Sequence, residues 1–317
     1  MNGMKLIGLR LAFLLLALCT LQLAWSQERS FKHELILQND NDVYLFTAQD
    51  RYYTNGIQIN YRFALKSDTS KTLNRVMDIE IGQKMYNGVN LSEKSQKWDR
   101  PFAGYFYLSG ELNQYYRHNQ VLSLKVELGQ IGPQAKGKEV QEVIHRVFNI
   151  YEVSGWEEQL PNTFGLDLGI KYQYLLYTSL RKNFDISGLG SATLGMNHTN
   201  ASIGVPIRWG HLRSFDESLF TKGHVQSKTK AKEFFLYYIP SVTYQVYNAT
   251  TQGGLIKHST VRYPYTIEKM VMGHKIGAMV ATGRSSIGLS YIFQSRESKE
   301  LLYNTHQYGS LFYGLRF

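Results

Sequence analysis

The stretch IQINYRFAL at residues 57–65 alternates between large apolar side chains and mainly polar ones. Ile57 and Ile59 fall on one face of an extended chain, whereas Gln58 and Asn60 fall on the other. A period of two is the pattern of a β-strand that separates an apolar environment from a polar one. A tilted strand needs about 9–11 residues to cross a bilayer, which is close to the length of this stretch. The stretch therefore predicts a strand that could cross a membrane.

The same alternation recurs along the chain and predicts an all-β fold. We expect about twelve strands, near residues 33–39, 54–66, 76–86, 102–116, 119–131, 163–178, 181–197, 199–211, 232–248, 266–282, 284–296 and 306–317. The last strand alternates from Leu311 through Tyr313 and Leu315 to a terminal Phe317, an ending that resembles the last strand of bacterial outer-membrane barrels. An even number of strands would bring both chain ends to the same side of the membrane.

Two architectures can use such strands. A soluble sandwich buries the apolar faces between two sheets, whereas a membrane barrel turns them toward lipid. The chain holds 23 tyrosines, and many apolar stripes end in tyrosine, as the aromatic girdle of a membrane barrel requires. The expected strands also exceed the length of about 5–6 residues that is usual in globular proteins. We therefore predict one transmembrane antiparallel β-barrel of about twelve strands, formed by residues 27–317 as a single domain.

The N-terminal segment, residues 1–26, has the features of a secretory signal peptide. Lys5 and Arg10 supply the positive charge that precedes an apolar run at residues 11–23. Small residues follow this run, so we expect cleavage before Gln27. An uncleaved anchor helix is the alternative, but the apolar run is shorter than the roughly 20 residues that such a helix needs.

The composition narrows the classes of function. One cysteine in 317 residues excludes a disulfide-rich scaffold and a cysteine-based zinc finger. The net charge of +10 suits nucleic acid or anionic lipid, and export makes lipid the expected neighbour. We expect no nucleic-acid partner and a location in the bacterial outer membrane.

One segment breaks the alternation. In GKEVQEVIHRVFN, at residues 137–149, Val140 and Ile144 recur at helical spacing, which predicts a short helix in a long loop between two strands. Gln141 and His145 are also four residues apart, so they share one face of this helix. Histidine is the natural general base near neutral pH, although a lone histidine is more often an ordinary surface residue.

Two polar clusters flank the loop between the first two strands. QNDND at residues 38–42 includes Asn39 and Asp40, whose oxygen atoms suit Ca²⁺, although an Asx-rich turn would have the same composition. DRYYTNG at residues 50–56 opens the second strand. Because the two strands should pair here, we expect Thr54 to lie opposite Asn39.

Together these stretches resemble the outer-membrane lipid A 3′-O-deacylase family, which consists of twelve-stranded barrels. The order and spacing of the motifs agree over residues 33 to about 175, and beyond that only the barrel character is shared. The matching motifs are NDND at 39–42, DRYYTNG at 50–56, GQKMY at 82–86, WDRPFAGYFYLSGEL at 98–112, IGPQAKGKEVQEVIH at 131–145 and GWEEQLPN at 155–162.

The resemblance implies roles for individual residues. His145 matches the catalytic base of the family, and Gln141 matches the glutamine one helical turn before it. Asn39 and Asp40 match the residues associated with a required Ca²⁺ ion. Thr54 matches a polar residue of the active site.

A lysine after the third strand also belongs to the family's site. Lys94 is the best match, with Lys97 as the alternative, because the length of that loop differs. The chain departs from the family at Asn87, where a threonine or serine is frequent, and at Tyr151, where some members carry an acid. Glu152 is adjacent and is a candidate substitute for that acid.

The function that the resemblance implies is hydrolysis of the 3′-linked acyl or acyloxyacyl chain of lipid A, with lipopolysaccharide as substrate. The active site would lie at the outer-leaflet rim, and the barrel assembly machinery would be the partner during biogenesis. A non-catalytic barrel, either a small pore or a structural protein, is the first alternative. The second is a phospholipase barrel acting on another lipid ester. Its serine–histidine motif is absent, and His198 is the nearest candidate for its histidine.

Overall fold

The computed structural model describes residues 31–45, 51–66, 72–92, 97–149, 153–227, 232–255 and 265–317. The predicted signal peptide, residues 1–26, lies outside them. The strands are β1 (His33–Asn41), β2 (Tyr52–Leu65), β3 (Thr72–Asn87), β4 (Asn90–Ser92), β5 (Lys97–Trp98), β6 (Ala103–Tyr116), β7 (Gln120–Ile131), β8 (Thr163–Thr178), β9 (Phe184–Gly195), β10 (His198–Gly204), β11 (Ile207–His211), β12 (Glu233–Asn248), β13 (Met270–Thr282), β14 (Ser285–Ser295) and β15 (Thr305–Arg316). The helices are α1 (Gly137–Phe148) and α2 (Ala249–Gln252), and short 3-10 helices occur at Asp42–Leu45, Pro133–Ala135, Trp156–Glu158 and Gly223–Gln226. Across the described ranges, no helix is long and apolar enough to span a membrane.

Antiparallel pairing joins twelve strands into a closed barrel. β1 closes the ring, because it pairs with β2 on one side and with β15 on the other. β10 and β11 form one barrel strand interrupted at Val205 and Pro206, since both segments pair with β9 and β12. Proline has no N–H to donate, which fits this break in the ladder. The predicted twelve-stranded barrel is confirmed, and the small hairpin of β4 and β5 was not predicted.

The two faces of the wall differ in the way that a membrane barrel requires. Leu35 and Leu37 of β1 point outward and are 43% and 54% exposed, whereas Glu34 of the same strand points into the lumen and is fully buried. In β2, Ile57 and Ile59 are exposed in the same way, and Gln58 faces the lumen. An apolar exterior around a polar interior excludes the soluble sandwich.

The lower rim is the end of the barrel where the backbones of His33 and Phe317 are hydrogen-bonded, and the upper rim is the opposite end. Buried ion pairs lie in the half of the lumen next to the lower rim. Arg62 lies 3.0 Å from Asp78 and 3.4 Å from Glu34. These charged groups can be buried in the lumen because each has an opposite charge and hydrogen-bond partners that offset the loss of hydration.

The connection between β11 and β12 folds back into the barrel at the lower rim. The side chain of Asn74 donates to the carbonyl oxygens of Asp216 (2.8 Å) and Gly223 (3.1 Å). Lys222 lies 2.7 Å from Asp78, and His224 lies 2.7 Å from Glu34. The described part of the connection, residues 212–227, is therefore bonded to the lumen ion pairs and occupies the lower end of the barrel.

The loops at the upper rim are held by two buried charged residues. Asp99 accepts hydrogen bonds from the Tyr52 hydroxyl (2.8 Å) and from the backbone N–H groups of Val89 (2.6 Å) and Leu302 (2.9 Å). Burial raises the pKa of the Asp99 carboxyl, although these donors oppose the shift. Arg100, also fully buried, lies 2.7 Å from Glu297. These contacts fix the segment that connects β3 to β6.

Candidate functional site

Helix α1 lies against the outer face of the barrel wall near the upper rim. Val140 and Ile144 of the helix pack against a buried cluster of Met85, Phe102 and Trp156. Met85 belongs to the outward-facing row of β3, in which the preceding Ile79 and Ile81 are exposed. The predicted helix is confirmed, and its apolar face covers the exterior of the barrel rather than the lumen.

Two glycines allow α1 to approach the wall closely. A Cβ atom on Gly104 of β6 would lie 2.9 Å from the backbone nitrogen of Gly137, and one on Gly137 would lie 2.7 Å from the Gly104 Cα. Real Cβ atoms do not approach backbone so closely, so larger residues would push the first turn of α1 away from the strand. The position of the helix is thus encoded by glycine at both contact points.

The two ends of α1 are closed by residues in the left-handed backbone conformation. Lys136 precedes the helix with φ 62°, and Asn149 follows it with φ 52°. The N–H of Asn149 donates back to the carbonyl groups of the last turn, which satisfies acceptors that would otherwise be unpaired. Val143 and Val147 remain 53% and 69% exposed on the side of the helix that faces away from the wall.

A hydrogen-bond network connects α1 to β2 and β3. Gln141 Oε1 accepts from the indole N–H of Trp156 (2.8 Å) and from Asn87 Nδ2 (3.0 Å). An indole N–H can only donate, so the orientation of the Gln141 amide is fixed. The Thr54 hydroxyl lies 3.3 Å from both Asn87 Oδ1 and the Met85 carbonyl oxygen. All of these polar groups are buried between the helix and the wall.

Asn87 and Trp156 are therefore site residues that the sequence did not single out as such. In the sequence Asn87 stands out only as a departure from the family, whereas in the structure it bridges Thr54 and Gln141. Trp156 belongs to the motif GWEEQLPN at residues 155–162, which resembles the family but implies no role for the tryptophan. Only the contact with Gln141 distinguishes these two residues from ordinary polar and aromatic rim residues.

His145 lies one helical turn after Gln141, on the same face of α1. Its side chain is 6% exposed, so the imidazole is held between the helix and its surroundings rather than projecting into solvent. The structure thus brings together Gln141, Thr54 and the base candidate His145 at one place on the outer wall.

Asn39 and Asp40, which the sequence analysis grouped together, point to opposite faces of β1. Asn39 lies on the outer face, where its Nδ2 donates to the Gly56 carbonyl oxygen (2.9 Å). Asp40 faces the lumen and accepts from the Tyr53 hydroxyl (2.7 Å) and from Gln38 (3.0 Å). Successive side chains of a strand alternate between its faces, so this separation follows from the strand continuing to Asn41 rather than ending at residue 39.

The expected pairing of Thr54 with Asn39 is wrong. Asn39 pairs with Ile57, and the register of β2 against β3 shifts between Tyr53 and Asn55. The extra residue at this bulge is Thr54. The bulge turns the Thr54 hydroxyl toward Asn87 of β3, a displacement that a pattern of period two does not reveal.

The residues expected to hold Ca²⁺ have the right donor atoms but not one common position. The Asn39 oxygen accepts a hydrogen bond from the Tyr44 hydroxyl (2.5 Å), and the Asp40 carboxylate is on the other side of the wall. Burial raises the pKa of Tyr44 to about 12, and Asp40 adds to this, so the tyrosine keeps its proton as a donor to Asn39. In this arrangement the two side chains do not fit a single shared ion.

Of the two candidate lysines, only Lys97 lies in the described part of the chain. Lys94 lies outside the described residues, as do Tyr151 and Glu152. Lys97 opens β5, in the segment between β3 and β6 at the upper rim.

A separate polar cavity of about 330 Å³ lies inside the barrel. Its lining includes Asp40, Tyr53, Glu80, Lys84 and Tyr86. Tyr86 of β3 faces this cavity, whereas the residue before it, Met85, faces outward and lies under α1. The candidate site and the cavity therefore lie on opposite sides of β2 and β3.

His198, the candidate histidine for a phospholipase-type site, also lies on the lumen side. It lines the cavity, and its Nδ1 lies 3.2 Å from Asp167. The structure does not bring it near α1.

Comparison with known proteins agrees with this architecture. The model of the LpxR outer-membrane protein family matches residues 11–317. The chain belongs to the LpxR family. The structure of LpxR from Salmonella typhimurium is similar, with a TM-score of 0.71 at 20% identity, covering 90% of this chain and 100% of that one. At this identity the likeness supports the fold alone. A comparison with curated proteins returned no match.

Two autotransporter barrels share only general barrel character. The β domain of Bordetella BrkA has a TM-score of 0.47 at 9% identity, covering 91% of this chain and 99% of that one. The translocator domain of NalP from Neisseria meningitidis has a TM-score of 0.42 at 10% identity, covering 91% and 90%. Both scores are too low to carry an argument.

Membership of the LpxR family and the closed barrel place the protein in the outer membrane. Outer-membrane barrels have short periplasmic turns and longer extracellular loops. Here the turns at 117–119 and 283–284 lie at the lower rim, whereas the long connection at 132–162 lies at the upper rim. The site formed by α1 is thus at the extracellular end, on the side that faces the lipid.

Proposed function

We propose that this protein is a lipid A 3′-O-deacylase that hydrolyses the ester to the 3′-linked acyl or acyloxyacyl chain. One observation supports the proposal above the others: α1 presents Gln141 and His145 on the lipid-facing side of the wall, where Gln141 is hydrogen-bonded to Asn87 and Asn87 to Thr54. Buried polar groups on a face that is otherwise apolar are costly to keep, so they are expected to serve a function.

The apolar wall below the site is suited to an acyl chain. Ile57, Ile79, Ile81 and Phe106 are about 40% exposed on adjoining strands, immediately below the rows that α1 covers. A lipid anchored in the outer leaflet could place its chain along these residues while its sugar reaches the upper rim. The acyl chain is already in hydrocarbon within the leaflet, so contact with these residues would place the ester beside α1 rather than add hydrophobic binding energy.

His145 would act as the general base in this reaction. The imidazole takes a proton from a water molecule while the water oxygen attacks the ester carbonyl carbon. The proton then passes to the sugar oxygen as the carbon–oxygen ester bond breaks, which releases a 3′-hydroxyl and a free fatty acid. The contacts of Gln141 with Trp156 and Asn87 would hold α1, and hence His145, at a fixed distance from the wall.

We propose in addition that activity requires Ca²⁺, with Asn39 as an oxygen ligand on the outer face of β1 and Asp40 as a negative charge on the lumen side of the same strand. Only the chemistry of their oxygen atoms supports this, since hard cations prefer such ligands. A Ca²⁺ ion would supply positive charge for the ester carbonyl oxygen. The test is the Ca²⁺ concentration at half-maximal activity, which Asp40→Asn should raise about tenfold. An unchanged Ca²⁺ dependence in this variant would restrict Asp40 to the lumen network.

Two further expectations complete the proposal. Lys94, or Lys97 in its place, would bind a phosphate group of lipid A. Insertion would depend on the barrel assembly machinery, as expected for an outer-membrane barrel.

The proposal is tested by mass spectrometry of lipid A from cells that express the protein. The wild-type chain should remove one acyl or acyloxyacyl unit, and His145→Ala should leave lipid A intact. His274→Ala is the matched control, because His274 stacks on Tyr238 away from α1 and should not affect the product. Unmodified lipid A in the presence of correctly inserted wild-type protein would exclude this substrate and favour a non-catalytic barrel.

A further inference from the structure

Three ionisable side chains meet inside the barrel, away from the site under α1. Glu127 of β7 and Asp167 of β8 are directly paired across the two strands, and His198 begins β10. One ligand atom from each lies within 4.8 Å of those of the other two. We propose that these residues bind a divalent metal ion of the Zn²⁺ class and that this ion stabilises the barrel.

The set of donors suits such an ion. Zn²⁺ is commonly bound by imidazole nitrogen together with carboxylate oxygen at about 2.0–2.2 Å. His198 Nδ1 already lies 3.2 Å from Asp167 Oδ2, so small rotations of the side chains would bring both atoms within reach of one ion. Two carboxylates would also neutralise the charge of a divalent ion in a setting where an uncompensated charge is costly.

Asn197 supplies a second, independent indication of a ligand. Its side chain is fully buried, and neither its Oδ1 nor its Nδ2 has a hydrogen-bond partner among the described residues. Its backbone N–H donates to Asp167 Oδ1 at 2.8 Å, so the residue is tied to the cluster. A buried amide without partners destabilises the fold, because its polar groups lose the hydrogen bonds that they made with water in the unfolded chain. The Asn197 amide lies against Gly165, two residues before Asp167, and its oxygen would be the fourth ligand.

Glycines make the space that this arrangement occupies. A Cβ atom on Gly165 would lie 2.5 Å from Asn197 Oδ1, and one on Gly195 would overlap the Asp167 carboxylate. Gly165 precedes Asp167 by two residues and so faces the lumen on the same strand. Residues with side chains at either position would displace the Asn197 amide or the Asp167 carboxylate.

Without an ion, a lysine neutralises part of the cluster. Lys125 Nζ lies 2.5 Å from Glu127, and the Tyr105 hydroxyl donates to the same carboxylate. The Lys125 ammonium also lies 5.7 Å from the centroid of the Tyr107 ring, where it would keep a favourable contact after release from Glu127. A metal ion would therefore replace Lys125 as the partner of Glu127, and the lysine should compete with the ion.

The lumen cavity gives the ion a place to enter. His198 lines the cavity of about 330 Å³, which is large enough for several water molecules. Bound there, the ion would connect β7, β8 and β10 from the inside. This site is separate from the proposed Ca²⁺ requirement, and it does not depend on the proposed deacylase activity.

The test is thermal unfolding of the folded, chelator-treated barrel in detergent with increasing Zn²⁺. The melting temperature of the wild type should rise with Zn²⁺ concentration, as expected for a ligand that binds only the folded state. His198→Ala and Asp167→Asn should remove this dependence, whereas His274→Ala should retain it. No rise in the wild type, or an equal rise in His198→Ala, would overturn the proposal.

If His198→Ala and Asp167→Asn do not fold, Lys125→Met tests the same site. Lys125→Met removes the competing ammonium without removing a ligand, so it should bind Zn²⁺ about tenfold more tightly in a calorimetric titration, with one ion per chain. Adventitious binding at surface histidines would not respond to Lys125. Unchanged or weaker affinity in Lys125→Met would count against the lumen site.

Discussion

Lys84 and Met85 are neighbours in β3 that face two different environments. Lys84 lines the lumen cavity, where Asp40 accepts a hydrogen bond from Tyr53 and Glu80 accepts one from Tyr107. Met85 faces outward, where α1 covers it and brings amides and an imidazole to a wall that is otherwise apolar. The lumen polarity has an evident structural role, because it fills the barrel. The polarity under α1 contributes little to closing the barrel, so it is expected to affect activity rather than stability.

The lumen side of this comparison predicts the largest change in stability. Arg208, 1% exposed, lies 2.5 Å from Asp185 and 3.6 Å from Glu233. Arg208→Met would leave two buried carboxylates without their cation and should cost about 3–5 kcal/mol in the free energy of unfolding. Urea unfolding in lipid vesicles measures this cost. The deacylase rate of the protein that remains folded should be unchanged, and a matching loss of activity would contradict the division between the two sides.

The outer side predicts the reverse result for a change at the helix contact. Gly104→Ala places a Cβ atom 2.9 Å from the Gly137 backbone and should shift α1 by a fraction of an ångström to an ångström. Displacements of that size reduce catalytic rates by about 10–100-fold. Gly110→Ala is the matched control on the same strand, because its Cβ would meet only the flexible end of Met77. Equal activity in the two variants would show that the position of α1 is not critical.

A smaller effect is expected within the polar network itself. Gln141→Leu removes the acceptor for Trp156 and Asn87 and should lower the rate about tenfold, since α1 keeps its apolar contacts. Gln141→Glu retains an acceptor oxygen and should recover most of the rate. If the two variants behave alike in a kinetic assay, the hydrogen bonds to Oε1 do not position the helix.

The alternation of apolar and polar residues was sufficient to predict the barrel. Periodicity depends on local sequence, so it located the twelve strands and the helix at 137–148 closely. It did not locate the break at Val205 and Pro206, because the apolar pattern continues through it. Periodicity also could not predict that the β11–β12 connection folds into the barrel, because its contacts with Asn74 and Glu34 join residues far apart in sequence.

The candidate site was only partly predictable for a related reason. Gln141 and His145 lie on one helix, so their common face follows from spacing alone. The relation of Thr54 to Asn39 depends on a bulge, and the separation of Asn39 from Asp40 depends on where β1 ends. Asn87 could not be recognised, because its role arises from the docking of α1 onto β3.

The most direct test of the account is the rate of fatty-acid release from lipid A by purified His145→Ala in detergent, with and without added imidazole. A general base contributes about 10²–10⁴-fold, so the rate should fall by at least 100-fold while the barrel remains folded. Added imidazole should restore part of the rate, because it can occupy the space that the side chain leaves. A variant that keeps the wild-type rate would contradict the assignment of the site to the lipid-facing helix.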